Sequence, residues 1–202
     1  MTNRREFIQR GVALSAAAPL VLAPTIGLAG DARPRLQPTL AVFDRGYAES
    51  LLFARAAEAH GIATHSIDGD VTALWYDDLY HRWKQGATPI VGLTGASSLF
   101  CLEQLAWKVE RRVVFRTEHR QRSDGRIDHQ LSGAAALPGL VAGLEGAEAA
   151  WPLWSAAAIR QLPATMRRGE SFKAAAIGPA LAGSKSWEEP LVTWAITLKP
   201  LA

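Results

Sequence analysis

Between residues 39 and 119 the chain alternates four times between short runs of strand formers and helical runs, and this limits its fold more than any other feature. "TLAVFD" (Thr39–Asp44) is an apolar run rich in strand formers. "AESLLFARAAEAHG" (Ala48–Gly61) is made of strong helix formers, with Gly61 as a stop. "IATHSID" (Ile62–Asp68) reads as a second strand. "VTALWYDDLYHRWKQG" (Val71–Gly86) sets Val71, Leu74, Trp75, Leu79 and Trp83 on one helical face. "TPIVGLT" (Thr88–Thr94) predicts a third strand and "SSLFCLEQLAWKV" (Ser97–Val109) a helix whose inner face is Leu99, Leu102, Ala106 and Val109. "RVVFRTEH" (Arg112–His119) completes the series as a fourth strand.

Strands separated by helices pair in parallel through right-handed crossovers. The expectation is an α/β fold in three layers with a mostly parallel sheet, and fold-level analogy suggests a flavodoxin-like strand order. The second half is less regular. "SDGRIDHQLSG" reads as a hairpin or an extended arm, and "LPGLVAGLEGAEAAWP" as a mobile connection rich in small residues. "WPLWSAAAIRQL" is a short helix with Pro152 near its start, and "PLVTWAITLKP" (Pro190–Pro200) an extra C-terminal strand that closes the sheet. There is no repeat, and residues 39–202 are expected to form a single α/β domain.

In an open parallel sheet ligands bind outside the carboxyl ends of the strands. The residues there are Asp44 and Arg45 after the first strand and Asp68 after the second, with His65 close by. Thr94, Gly95, Ser97 and Ser98 follow the third strand, and His119 the fourth. "GLTGASS" runs from strand to helix through small residues, with Ser97 or Ser98 as N-cap. A helix N-terminus with free N–H groups attracts anions, so a small anionic ligand is expected there, with Arg45 contributing charge if the first and third strands are neighbours.

Other chemistries fit less well. Gly95-Ala96-Ser97-Ser98-Leu99 lacks the last glycine of a nucleophile elbow, so a serine hydrolase built from Ser97, His119 as base and Asp44 as orienter is the alternative reading. "DRGYAES" is no dinucleotide fingerprint. His65 with Asp68 and Asp70, Asp77 with His81, and Asp128-His129 lack a recognised metal-ligand spacing, so no metal and no cofactor is expected. Cys101 is the one cysteine, which excludes an intrachain disulfide and c-type haem attachment; its apolar neighbours predict a buried thiol. Lys108 to Arg126 holds seven basic against three acidic residues, best read as a solvated helix end and a charge-defended edge strand.

The N-terminus carries an address. Arg4, Arg5 and Arg10 precede a weakly apolar run from Gly11 to Leu28, followed by small residues. Arg4-Arg5-Glu6-Phe7-Ile8 closely resembles the twin-arginine (Tat) export signal, departing from it at Asn3 and Gln9. The resemblance implies a bacterial or archaeal signal peptide over residues 1–29, cleaved after Ala29 or Ala32, then a linker over 30–38. It implies a periplasmic destination, and membrane contact only through the signal. Tat export carries folded proteins, often with a cofactor or a co-exported subunit.

Three of the 22 basic and one of the 19 acidic residues precede residue 30, which leaves a net charge of only +1 and no support for nucleic-acid binding. Seven tryptophans are available for a core, a partner surface or a ligand pocket. The expected protein is an exported accessory or small-ligand-binding protein, such as a small subunit or companion of a periplasmic redox enzyme, with the small serine hydrolase as the alternative.

Overall fold

The computed structural model describes residues 34–86, 89–133, 139–164 and 172–198. The predicted signal (1–29), with Arg4, Arg5 and Phe7, and the first part of the linker lie outside the described residues. The strands are β1 (Leu40–Asp44), β2 (Ala63–Ile67), β3 (Ile90–Gly95), β4 (Arg111–Gln121), β5 (Arg126–Gly133), β6 (Phe172–Pro179) and β7 (Leu191–Leu198). The helices are α1 (Ala48–Ala59), α2 (Thr72–Leu74), α3 (Tyr80–Gln85), α4 (Ala96–Trp107), α5 (Leu140–Ala147) and α6 (Trp151–Ile159). A π-helical turn, Trp75–Leu79, joins α2 to α3, and a 3-10 turn, Glu148–Ala150, leads into α6.

The strands form one mixed sheet in the order β2-β1-β3-β7-β4-β5-β6. This corrects the expected mostly parallel sheet and its flavodoxin-like order. Among the described residues only β1–β2 and β1–β3 pair in parallel; the other neighbours are antiparallel. The cause is β7, which enters between β3 and β4 and runs against both. Because β7 opposes each of them, β3 and β4 point the same way. The alternating segments therefore do deliver four co-directional strands, but the C-terminal strand separates the fourth from the rest.

Two apolar clusters cover opposite faces of the sheet. Alternate residues of β1 show the division: Ala41 packs with Phe53 and Ala57 of α1, and Leu40 and Val42 with Leu74, Trp75 and Trp83. Helices α5 and α6 add Leu144, Trp151 and Ile159 to the first cluster, and α4 adds Leu99, Leu102 and Ala106 to the second. The predicted stripe Val71, Leu74, Trp75, Leu79 and Trp83 is wholly buried. Its steps of four residues would wind off a straight α-helix by about 40° each. The π turn at Trp75–Leu79 takes part of that drift back.

Strand β7 is buried from Leu191 to Thr197, as expected of a strand covered on both faces. The Trp194 ring lies over β3 at Gly92, and its Nε1 donates to Thr94 Oγ1 at 3.1 Å. A Cβ at Gly92 would come within 2.6 Å of the ring and 2.7 Å of the Val42 carbonyl oxygen, so only glycine fits. Cys101 is exposed, a correction to the expected buried thiol: it lies on α4 away from Leu99, Leu102 and Ala106. The "LVAGLEGA" segment, expected to be a mobile connection, is helix α5. Ahead of β1, Leu36 is fully buried and donates its N–H to the Leu162 carbonyl at 2.7 Å. Among the described residues no helix is long and apolar enough to cross a membrane.

Candidate functional site

The carboxyl ends of β1 to β4 lie at one end of the sheet, and the segment joining β6 to β7 crosses there. This strap, residues 180–190, is tied down at three places. Glu49 of α1 accepts a hydrogen bond from Ser184 Oγ. Gln121 at the end of β4 donates to the Lys185 carbonyl at 3.0 Å and accepts the Trp187 N–H at 2.9 Å. Glu189 reaches the start of α4, where Ser97 gives it both its N–H and its Oγ–H, each at 2.7 Å. Between the strap and α1 lies a cavity of about 460 Å³, walled by Asp44, Tyr47, Glu49, Lys185, Trp187 and Glu188 among others.

Each element places its residue for a local reason. Asp44 ends β1 and is buried; its carboxylate accepts the N–H groups of Gly46 at 2.9 Å and Gly69 at 3.2 Å, which ties the β1 turn to the β2 turn. Ser50 of α1 accepts the Asp44 N–H at 2.8 Å and donates to the Leu93 carbonyl, so the helix is bolted to β1 and β3. Tyr47 caps α1 from extended backbone. Its phenol is shifted upward, first by burial and then by the charges of Glu189, Asp44 and Glu188. The pocket is therefore electronegative: four carboxylates line it (Asp44, Glu49, Asp68, Glu188) against one ammonium, Lys185.

Of the residues expected at the strand ends, Asp44 and Asp68 line the cavity. Arg45 adjoins it, but its guanidinium is bound to Asp68 at 2.7 Å on the exposed surface. His65 sits in mid-strand opposite Val42 and outside the cavity wall. Thr94 is buried and serves Trp194. Ser98 is buried and donates to the Gly69 carbonyl at 2.8 Å. The N-cap of α4 is Gly95, a correction to the expected Ser97 or Ser98.

At this helix start, the expected position of a small anion, the chain's own Glu189 carboxylate takes the Ser97 N–H and Oγ–H. Gly95 makes room: a Cβ there would lie 2.9 Å from the Glu189 carboxyl carbon. Replacing Glu189 with alanine is expected to cost about 1–2 kcal/mol, the range for losing a helix cap. Urea unfolding would measure it, and a change within error would show that the cap carries no stability.

Ser97 and His119 are not brought together. Ser97 Oγ is given to Glu189. His119 Nδ1 lies 2.6 Å from His129 Nδ1, and its Nε2 lies 2.9 Å from Thr193 Oγ1. Both imidazole nitrogens are thus engaged elsewhere, in a ring buried against Trp151 on the face opposite α4. The alternative Ser97–His119–Asp44 hydrolase therefore finds no hydrogen bond between Ser97 and His119 to rest on.

Among the described residues no three His, Cys, Asp or Glu side chains converge as metal ligands. The basic run from Lys108 is largely absorbed: Arg116 pairs with Glu103, Arg122 with Asp124 and Asp128, and Arg111 is buried, donating to the carbonyls of Trp83 and Gly86. β4 is an interior strand, not the expected edge. Strap residues Lys185, Trp187 and Glu188 carried no motif, and only a tryptophan-rich second half hinted at them.

Fold and site together define an α/β protein with a half-open, acidic pocket at the strand ends. Comparison with protein-family models, with curated proteins and with solved structures returns no match to this chain.

Proposed function

We propose that this is an exported protein that binds a small polar ligand between α1 and the strap. The half-open cleft of about 460 Å³ carries this reading, being of the size that takes a metabolite. Its lining favours a ligand with positive charge, held by carboxylates and by the faces of Tyr47 and Trp187. The small anion expected from the sequence fits less well, since it would have to displace Glu189. The test is native mass spectrometry of the protein recovered from the envelope fraction, where a small molecule should co-purify in stoichiometric amount. Recovery of empty protein, together with no thermal shift on adding amines such as putrescine, would sink the reading.

The Tat-type address belongs to the same proposal. Changing Arg4 and Arg5 together to lysine is expected to leave the protein in the cytoplasm, as cell fractionation would show. Unchanged periplasmic recovery would refute the address. A second reading, a co-exported companion of a redox enzyme, draws on Phe100 and Trp107, exposed on α4 at 60% and 46%. It requires a stoichiometric enzyme subunit in a pull-down from the envelope.

A further inference from the structure

Behind the pocket wall lies a buried polar cluster that the binding site does not use. Trp187, which walls the cavity, packs edge-on against Trp151, ring centres 6.4 Å apart. Trp151 is fully buried; it stacks on His119 at 4.0 Å and meets His129 edge-on at 5.4 Å. The two histidines face each other directly across β4 and β5. Among the described residues His129 Nε2 and Trp151 Nε1 are buried and find no hydrogen-bond partner. The former faces Gly178 of β6, where a Cβ would lie 3.2 Å away.

The geometry restricts the protons. Two ring nitrogens 2.6 Å apart share one proton, so one of them must be bare. With His129 Nδ1 donating, His119 Nε2–H donates to Thr193 Oγ1 and His129 Nε2 is left bare, the arrangement that buries no unpaired N–H. A further proton then lands on His129 Nε2, which makes no hydrogen bond beside the Gly178 backbone, with the Glu148 carbonyl beyond it. One more breaks the bond between the rings and sets two N–H groups head to head.

What offsets such a charge around the cluster is chiefly the face of Trp151 against His119. β7 contributes Thr193, α6 contributes Trp151, and β6 faces His129 with Ala176 and Gly178. On β4, Glu118 is paired with Arg120. On β5, Asp128 is the one carboxylate that favours the charged His129, and Arg122 holds it at 3.1 Å.

We propose that the His119–His129 pair is an acid-operated latch on the ligand pocket. Extra protons on the pair break the contact between the two rings, Trp151 shifts with the displaced imidazoles that it packs on, Trp187 withdraws from the pocket wall, and the ligand is released. The inference rests on the pocket reading above. Burial lowers both imidazoles, His129 to about 4 and His119 well below its ordinary 6.5. A lowered pKa means that the closed form holds fewer protons than an open one. Its stability is complete above 6.5 and is lost as pH falls from there toward about 4.

The test needs no ligand. Tryptophan emission, far-UV circular dichroism and imidazole NMR of the whole protein are followed from neutral pH to about 4. A reversible emission step is expected in that range, at the pH where the His129 ring titrates, with the far-UV signal unchanged. The step should disappear in His129→Gln and shrink in Trp187→Phe. No step, a step away from the imidazole midpoint, or a step that survives in His129→Gln overturns the latch, and so does far-UV collapse in parallel, which marks plain acid unfolding. Should His129→Gln not fold, the wild-type NMR midpoint still decides. If the step occurs but no ligand is found at any pH, the pocket reading fails and the protonation device stands. If a ligand bound at neutral pH is retained below the step, the coupling to the pocket is refuted.

Discussion

Trp194→Ala is expected to lower the unfolding free energy by about 3–5 kcal/mol, the range for truncating a fully buried aromatic. The ring fills the space above β3 at Gly92, and its loss also strips Thr94 Oγ1 of its donor. Gly92→Ala attacks the same contact from the other side and is expected to cost about 1–3 kcal/mol or more by overpacking. The two should not add. In the Trp194→Ala background the new methyl no longer meets an indole, so its cost should shrink to what the Val42 carbonyl imposes. Urea unfolding of both single variants and the double variant measures the coupling. Strict additivity would mean that the ring does not lie over Gly92.

The second large effect is expected at Trp151, where alanine should also cost about 3–5 kcal/mol. This side chain joins α6 to β4, β5 and the strap through its contacts with His119, His129 and Trp187. Trp151→Phe should cost much less. Phenylalanine keeps a ring against His119 and removes an indole N–H that is buried without a partner. Chemical denaturation of the two variants separates the contributions. Equal losses would show that ring stacking is not what holds Trp151.

The first half of the fold was legible because its signals are local. Strands β1 and β3 read as short apolar runs, α1 as strong helix formers ended by Gly61, and the Val71–Trp83 stripe as a helical face, all of which the structure contains. The position of β7 is not set by local signals. "LVTWAITL" marks a strand buried on both faces, and such a strand belongs in the middle of a sheet, so the signal was present. What sequence spacing does not encode is which gap it enters. β6, "FKAAAIGP", was missed because alanine, glycine and proline are poor strand formers, and its place comes from pairing with β5. At the site, Asp44 and Asp68 follow from the strand-end rule. Glu49, Trp187 and Glu189 do not, since the strap meets α1, α6 and α4 only after the chain has returned from far along its length.

The insertion of β7 has a kinetic consequence. β3 and β4 share no hydrogen bonds of their own; each is completed by β7, through partners as distant in sequence as Ile90 and Ile196. The β1–β3 unit and the β4–β6 ladder can therefore condense early from nearby contacts, but they remain two half-sheets with raw inner edges until β7 arrives. Closure demands a long-range search, which slows folding and leaves the half-sheets open to pairing with other chains in the meantime. Once β7 is seated, it acts as a keystone: neither half can peel away without unzipping it, and native opening is expected to be all or none across the centre of the sheet.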